Sequence, residues 1–182
     1  MPPEQLPEPW NSFLAGVDAL AEGEVELRCL GGFAAAMRYG LARPTADVDV
    51  ITTVPAGAAG HLIPLAGKGS ALHRSHGVYL DFVTVATVPE DYDRRLVELF
   101  PGTFERLRLF ALDPYDLALA KLERNTQRDR DDVKFLARAV PFDLEVLKER
   151  YEKELRPYLG NPGREDLTLR LWVEAIDEER GP

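Results

Sequence analysis

Apolar and polar residues alternate along Val25-Glu26-Leu27-Arg28-Cys29-Leu30, the pattern of a strand with one buried face. Gly31-Gly32 breaks the alternation, and the Ala-rich segment that follows has strong helix propensity. A second strand is expected over residues 47–54, ending at Pro55. Side chains two apart on a strand share a face, so Val48 and Val50 point one way, into the core, and Asp47 and Asp49 the other. Residues 79–85 predict a third strand, in which Asp81 is the only acid. Residues 103–110 alternate cleanly and predict a further strand with Arg106 and Arg108 on one face.

Trp10, Phe13, Leu14, Val17 and Leu20 fall at helical spacing and predict a helix over residues 10–20. Residues 56–66 give a weaker helix interrupted by Gly57, Gly60 and Pro64, residues 67–77 a hairpin-like surface turn, and residues 89–100 a polar helix. From Asp113 the period becomes helical. Asp113-Pro114 reads as an N-cap with proline at the first helical position, opening a helix over residues 115–124. Further helices are expected over 133–140, 143–158 and 164–179, separated by Pro141 and by Gly160-Asn161-Pro162-Gly163. Strands in the first two-thirds and helices afterwards predict an α+β fold. Its sheet core with an N-terminal helix would occupy residues 1–112, and a helical C-terminal part packed on that core residues 113–182.

Composition narrows the function. The chain has 182 residues, a net charge of −9 and a single cysteine. An acidic balance provides no global attraction to nucleic acid, which leaves room only for a local grip on a polyanion. One cysteine forms no internal disulfide, no signal-peptide pattern opens the chain, and no apolar run reaches the ~18 residues of a membrane span. The expectation is a soluble cytoplasmic protein without a membrane partner.

The chemistry concentrates in residues 29–51. Gly31-Gly32 at the start of a helix lets a phosphate approach backbone amides, and Asp47 and Asp49 set two carboxylates on one strand face beside it. Alone, an Asp-x-Asp at a strand start also serves as a turn or cap. Joined to Gly31-Gly32 and to Asp81, it favours a site for a divalent cation and a nucleotide. Mg²⁺ takes oxygen ligands and keeps several waters, so two or three aspartates suffice. Asp81 has a competing reading as partner of a buried arginine, and Lys121 as a solvated helix residue. Asp131 and Asp132 have one as caps or partners of Arg128 and Arg130, and His73 and His76 as an ordinary surface rather than metal ligands.

The Gly-Gly turn, the helix and the Asp-x-Asp strand, followed by a third acid on a neighbouring strand, resemble the polymerase-beta-type nucleotidyltransferase superfamily. Phe33 stands where many members carry Ser or Thr. Two further motifs, Asp116-Leu117-Ala118-Leu119-Ala120-Lys121 and Arg128-Asp129-Arg130-Asp131-Asp132, sharpen the resemblance to abortive-infection (AbiEii-like) minimal nucleotidyltransferases of the toxin type. Arg128 stands there for a lysine, and Thr126 where relatives often have Arg. The resemblance covers roughly residues 29–137.

It implies a sheet flanked by helices and an Mg²⁺- or Mn²⁺-dependent transfer of an NMP from an NTP to a hydroxyl acceptor, a tRNA 3′ end or a protein. Asp47, Asp49 and Asp81 would hold the metal, with Asp81 taking the acceptor proton. Lys121 would face the triphosphate and Asp129 would orient Lys121 or an arginine. Gly31, Gly32, Arg43, Thr45 and Arg128 would contact the nucleotide. A cognate antitoxin is the partner such relatives imply. The competing classes are an antibiotic- or other small-molecule nucleotidyltransferase and a decayed nucleotide-binding or protein-interaction module.

Overall fold

The alternating runs assemble into one five-stranded mixed sheet of order β3-β2-β1-β5-β4. The structure, a computed structural model, describes residues 1–84 and 86–181. Two compact units divide the chain: Met1–Val85 with Leu96–Leu112, and Ala86–Arg95 with Asp113–Pro182.

The first unit holds helix α1 (Trp10–Leu20), strand β1 (Val25–Leu30), helix α2 (Gly31–Tyr39) and strand β2 (Asp47–Val54). Helices α3 (Ala58–Ala66) and α4 (Ala71–His76) follow, then strands β3 (Tyr79–Phe82), β4 (Val97–Leu99) and β5 (Leu107–Ala111). β1 runs antiparallel to β2 and parallel to β5, and β2 runs parallel to β3. The alternation sets the faces as expected: Val48, Val50, Leu27, Leu80 and Leu109 are buried, whereas Asp47 and Asp49 are half-buried and Asp81 is exposed. Phe13, Leu14 and Val17 of α1 are fully buried, and the Trp10 ring meets Phe33 edge-on at 5.0 Å. Each such side chain contributes roughly 1.5–3 kcal/mol through burial.

Three expectations for residues 67–100 are corrected. Residues 67–77 are not a hairpin surface. The Ser70 hydroxyl accepts a hydrogen bond from His73 N (3.1 Å), and that cap opens α4. Residues 89–100 do not form one helix. A 3₁₀ turn, Tyr92–Arg95, is followed by β4, whose three residues gain strand geometry only by pairing with β5. The third strand ends at Phe82, and the part of that expectation falling on Val85 lies outside the described residues. The strand expected from residue 103 begins at Leu107: on β5, Arg108 forms a two-pronged bond to Glu98 (3.0 and 3.1 Å), and Arg106, just before it, donates to Ala21 O (2.8 Å), so both meet partners of the chain itself.

The second unit contains helices α5 (Pro114–Leu119), α6 (Gln127–Ala139), α7 (Leu144–Arg150) and α8 (Gly163–Arg180). The helix expected over 115–124 stops five residues early. After Ala118 the bonds tighten to i−3, with Lys121 N to Ala118 O (3.0 Å) and Leu122 N to Leu119 O (3.1 Å). Asn125, at φ 43°, then turns the chain. α6 opens on a reciprocal capping box. Thr126 Oγ1 accepts from Asp129 N (3.2 Å), and Asp129 Oδ2 accepts from Thr126 N (2.9 Å). The segment expected as one helix over 143–158 passes from α7 through a π turn, Tyr151–Leu155, into a 3₁₀ turn.

Candidate functional site

Strand register builds the site. Leu30, the last residue of β1, pairs with Asp49, and on the other side of β2 Asp49 pairs with Asp81 and Asp47 with Tyr79. With Asp47 and Asp49 two apart on β2 and Asp81 level with Asp49, the three carboxylates share one face. A ligand oxygen from each lies within 4.8 Å of the others. Among the described residues this is the only group of three side chains able to hold a metal ion.

The turn from β1 into α2 fits closely against that group. Gly31 has φ +69°, a conformation L side chains rarely adopt, and a Cβ there would run into the Asp49 carboxylate. Glycine at this position lets the backbone lie against the acid. A Cβ on Gly32 would sit 3.4 Å from Thr45 Oγ1 and 3.6 Å from Arg43 Nη2, so the loop before β2 folds over the start of α2. Gly31, Gly32, Arg43, Thr45, Asp47, Asp49 and Asp81 are thereby gathered in one place. Thr45 Oγ1 donates to Asp47 Oδ1 at 2.8 Å, which fixes that carboxylate. Phe33 is fully buried, so the start of α2 presents backbone N–H groups and no hydroxyl from that residue.

Three carboxylates this close repel one another. Burial and then the charges of Asp47, Asp81 and Asp49 raise the pKa of the Tyr79 phenol. Burial, with Asp49 adding to it, drives the Cys29 thiol far above the usual thiol range, so Cys29 is an inert core residue. A divalent cation held there would relieve this repulsion. The all-oxygen donor set and the space left by Gly31 match the preferences of Mg²⁺ or Mn²⁺.

The second constellation has a different character. Lys121 is 4% exposed, which overturns the competing reading of it as a solvated helix residue. Its Nζ bonds Asp132 Oδ2 at 2.9 Å and lies 3.6 Å from Asp129 Oδ1. Asp129 also takes a two-pronged bond from Arg124. Burial on its own would raise the Asp129 pKa. The bonds from Arg124 and Thr126, together with Lys121, outweigh it and hold the carboxyl well below the usual range. Asp116 is fully buried and accepts from Arg95 (3.0 Å) and Arg150 (3.1 Å). Asp131 accepts from Gln127, Arg130 donates to Asn125 O, and Arg128 is exposed on α6.

The place of Tyr79 and the pairing of Asp132 with Lys121 both escape the sequence reading. Tyr79 stands beside Asp47 in register and shares a strand face with Asp81, a relation visible in its spacing of two. Asp132, the direct partner of Lys121, has no such signal, because the pairing spans eleven residues and a turn.

No curated protein and no solved structure shows detectable similarity to the chain. No helix among the described residues is long and apolar enough to cross a membrane. A family model matches residues 18–179, which takes in the glycine turn, the three aspartates and the helical unit. By that match the chain belongs to the family described as nucleotidyltransferases of unknown function (DUF6036).

Proposed function

We propose that the protein transfers an NMP unit from an NTP to a hydroxyl acceptor, with Asp47, Asp49 and Asp81 holding a divalent cation, Mg²⁺ or Mn²⁺. The convergence of those three carboxylates carries the reading. It also speaks against a decayed module, which has no need to keep like charges together. When bound, the ion neutralises phosphate charge and polarises the phosphorus–oxygen bond that breaks.

The chain's own groups supply positioning and proton transfer. Backbone N–H groups at Gly31 and Gly32 and the Arg43 guanidinium take phosphate oxygens at the start of α2. Thr45 keeps the Asp47 carboxylate oriented. The acceptor oxygen attacks the α-phosphorus, and the bond from that phosphorus to the bridging oxygen breaks. Pyrophosphate departs with the electron pair, and the acceptor proton passes to Asp81. Catalysis of this kind rests on positioning and electrostatics more than on covalent chemistry.

Lys121, Asp129 and Arg128 form the second part of the proposal. Their motif, with Asp116-Leu117, supports an AbiEii-like toxin whose acceptor is a tRNA 3′ end or a protein and which is paired with an antitoxin. In this arrangement Lys121 and Asp129 hold the start of α6, and Arg128 is the cation left accessible.

Incubation of the protein with each α-labelled NTP and Mg²⁺ in cell lysate tests the reading. Label transferred to RNA or to a protein band is expected, and is lost in Asp49→Asn. Absence of transfer with all four nucleotides, together with no metal-dependent NTP binding, would overturn it.

A further inference from the structure

The chain carries 31 acidic residues, yet none falls between Asp49 and Asp81. The same interval holds Lys68, Arg74 and all three histidines, His61, His73 and His76. In a protein of net charge −9 this is the stretch where a polyanion meets least repulsion. Its placement matters, because the stretch leads directly into β3, the edge strand that carries Asp81.

Its side chains are ordered around Tyr79. The Lys68 ammonium lies over the Tyr79 ring, 5.8 Å from its centroid, and the His73 ring meets that ring edge-on at 4.9 Å. Gly69 N donates to His73 Nδ1 at 2.9 Å, which leaves the His73 proton on Nε2 as a donor. Arg74 Nη1 bonds Gly69 O at 2.5 Å, which ties this side chain, next in sequence to His73, to the same loop. Lys68 and Arg74 are both exposed, and neither has a carboxylate within ion-pair distance among the described residues. Tyr79 is half-buried, two residues from Asp81 on the same strand face and level with Asp47. An aromatic ring with an ammonium over it and an imidazole at its edge, beside the acid that would receive a hydroxyl proton, is the combination that grips single-stranded nucleic acid. The ring stacks a base and the cations take the phosphates.

We infer that Lys68, His73, Arg74 and Tyr79 form the acceptor subsite, and that the acceptor is a single-stranded RNA 3′ end rather than a protein hydroxyl. This rests on the nucleotidyl-transfer reading above and names the acceptor class for the same site. A protein hydroxyl would bring no row of phosphates and would leave these cations without a task.

The test uses the full chain and a short fluorescein-labelled single-stranded RNA with a free 3′-hydroxyl, titrated by anisotropy across a range of salt. Mg²⁺-dependent NTP binding is measured separately by calorimetry. Lys68→Glu with Arg74→Glu should weaken RNA binding about tenfold or more and flatten the salt slope by about 1.4, the contribution of two single-strand phosphates. NTP binding should stay unchanged. Both positions are exposed, so the fold should hold, and a thermal melt checks it. Tyr79→Phe should retain RNA affinity, and Tyr79→Ala should lose roughly tenfold. No RNA binding by the wild type, or RNA affinity and salt slope unaffected by the charge reversals while NTP binding persists, overturns the acceptor assignment and leaves the transferase reading standing. Label transferred to a protein band at the wild-type rate by the charge-reversed variant also overturns it. Loss of NTP binding by the wild-type protein would instead bring down the underlying reading.

Discussion

The carboxylates of β2 and β3 and those of α6 follow opposite electrostatic logics. Asp47, Asp49 and Asp81 set like charges within 4.8 Å of one another on a face that solvent reaches. Asp129 and Asp132 are interleaved with Lys121 and Arg124, and both acids are fully or almost fully buried. The first arrangement gathers like charges at the surface, where a cation would offset their repulsion. The second satisfies itself, because buried ions must find their partners within the chain. Buried and paired, the acids of α6 work for the fold; those of β2 and β3, gathered at a surface, are the ones proposed to work for a ligand.

Substitutions separate the two logics, and the largest effect is expected at the paired cluster. Lys121→Ala removes the buried ammonium that bonds Asp132 at 2.9 Å and lies 3.6 Å from Asp129, and breaking a buried ion pair in this way costs about 3–5 kcal/mol. A thermal melt should show a large fall in Tm, and Lys121→Met should restore part of it by keeping the volume without the charge. A wild-type melting curve for Lys121→Ala would break the comparison.

Next comes Asp49→Asn, expected to slow transfer by roughly 100- to 1,000-fold, about 2.7–4 kcal/mol of barrier. Its Tm should hold or rise slightly, since a like-charge contact is relieved. Single-turnover kinetics beside a melt reads both, and a fall in Tm without loss of transfer would place Asp49 with the structural acids.

Gly31→Ala sharpens the picture further. The left-handed backbone costs a side chain about 1–2 kcal/mol, and the new methyl displaces the Asp49 carboxylate. Metal-dependent NTP binding should weaken more than stability does, as calorimetry and a melt would show.

The smallest effect is acid sensitivity. Asp129 has its pKa depressed in the folded protein, so its contribution is fully present above the unfolded value near 4 and is lost as pH falls below it. By pH 3 the loss is of order 1 kcal/mol. Denaturant titrations from pH 6 to pH 3 should show this slope in the wild type and a shallower one in Asp129→Asn. Identical slopes would mean that Asp129 is not held by Arg124 and Thr126 in solution.

Legibility in the sequence followed the range of the interactions. The β1–α2–β2 segment reads directly because its signals are local: a period of two, a Gly-Gly break and an Ala-rich run. The Asp113 cap of α5 is local too, with Asp113 Oδ1 accepting from Asp116 N at 2.9 Å. β4 escaped because three residues carry no usable period, and its strand geometry comes from β5. α4 escaped because Gly67, Gly69 and Gly77 mimic a turn, and the Ser70 cap decides otherwise.

By itself, the sequence determined which faces are apolar, where the strands break, and that Asp47 and Asp49 share a side. Those follow from backbone periodicity, which needs no knowledge of neighbours. Tertiary structure alone decided that Asp81 stands level with Asp49, that Gly31 lies against the Asp49 carboxylate, and that Lys121 is spent on Asp132. Each of these depends on strand register or on a contact across a turn. Residues far apart in the chain meet only once burial of the apolar faces has fixed how the strands and helices align.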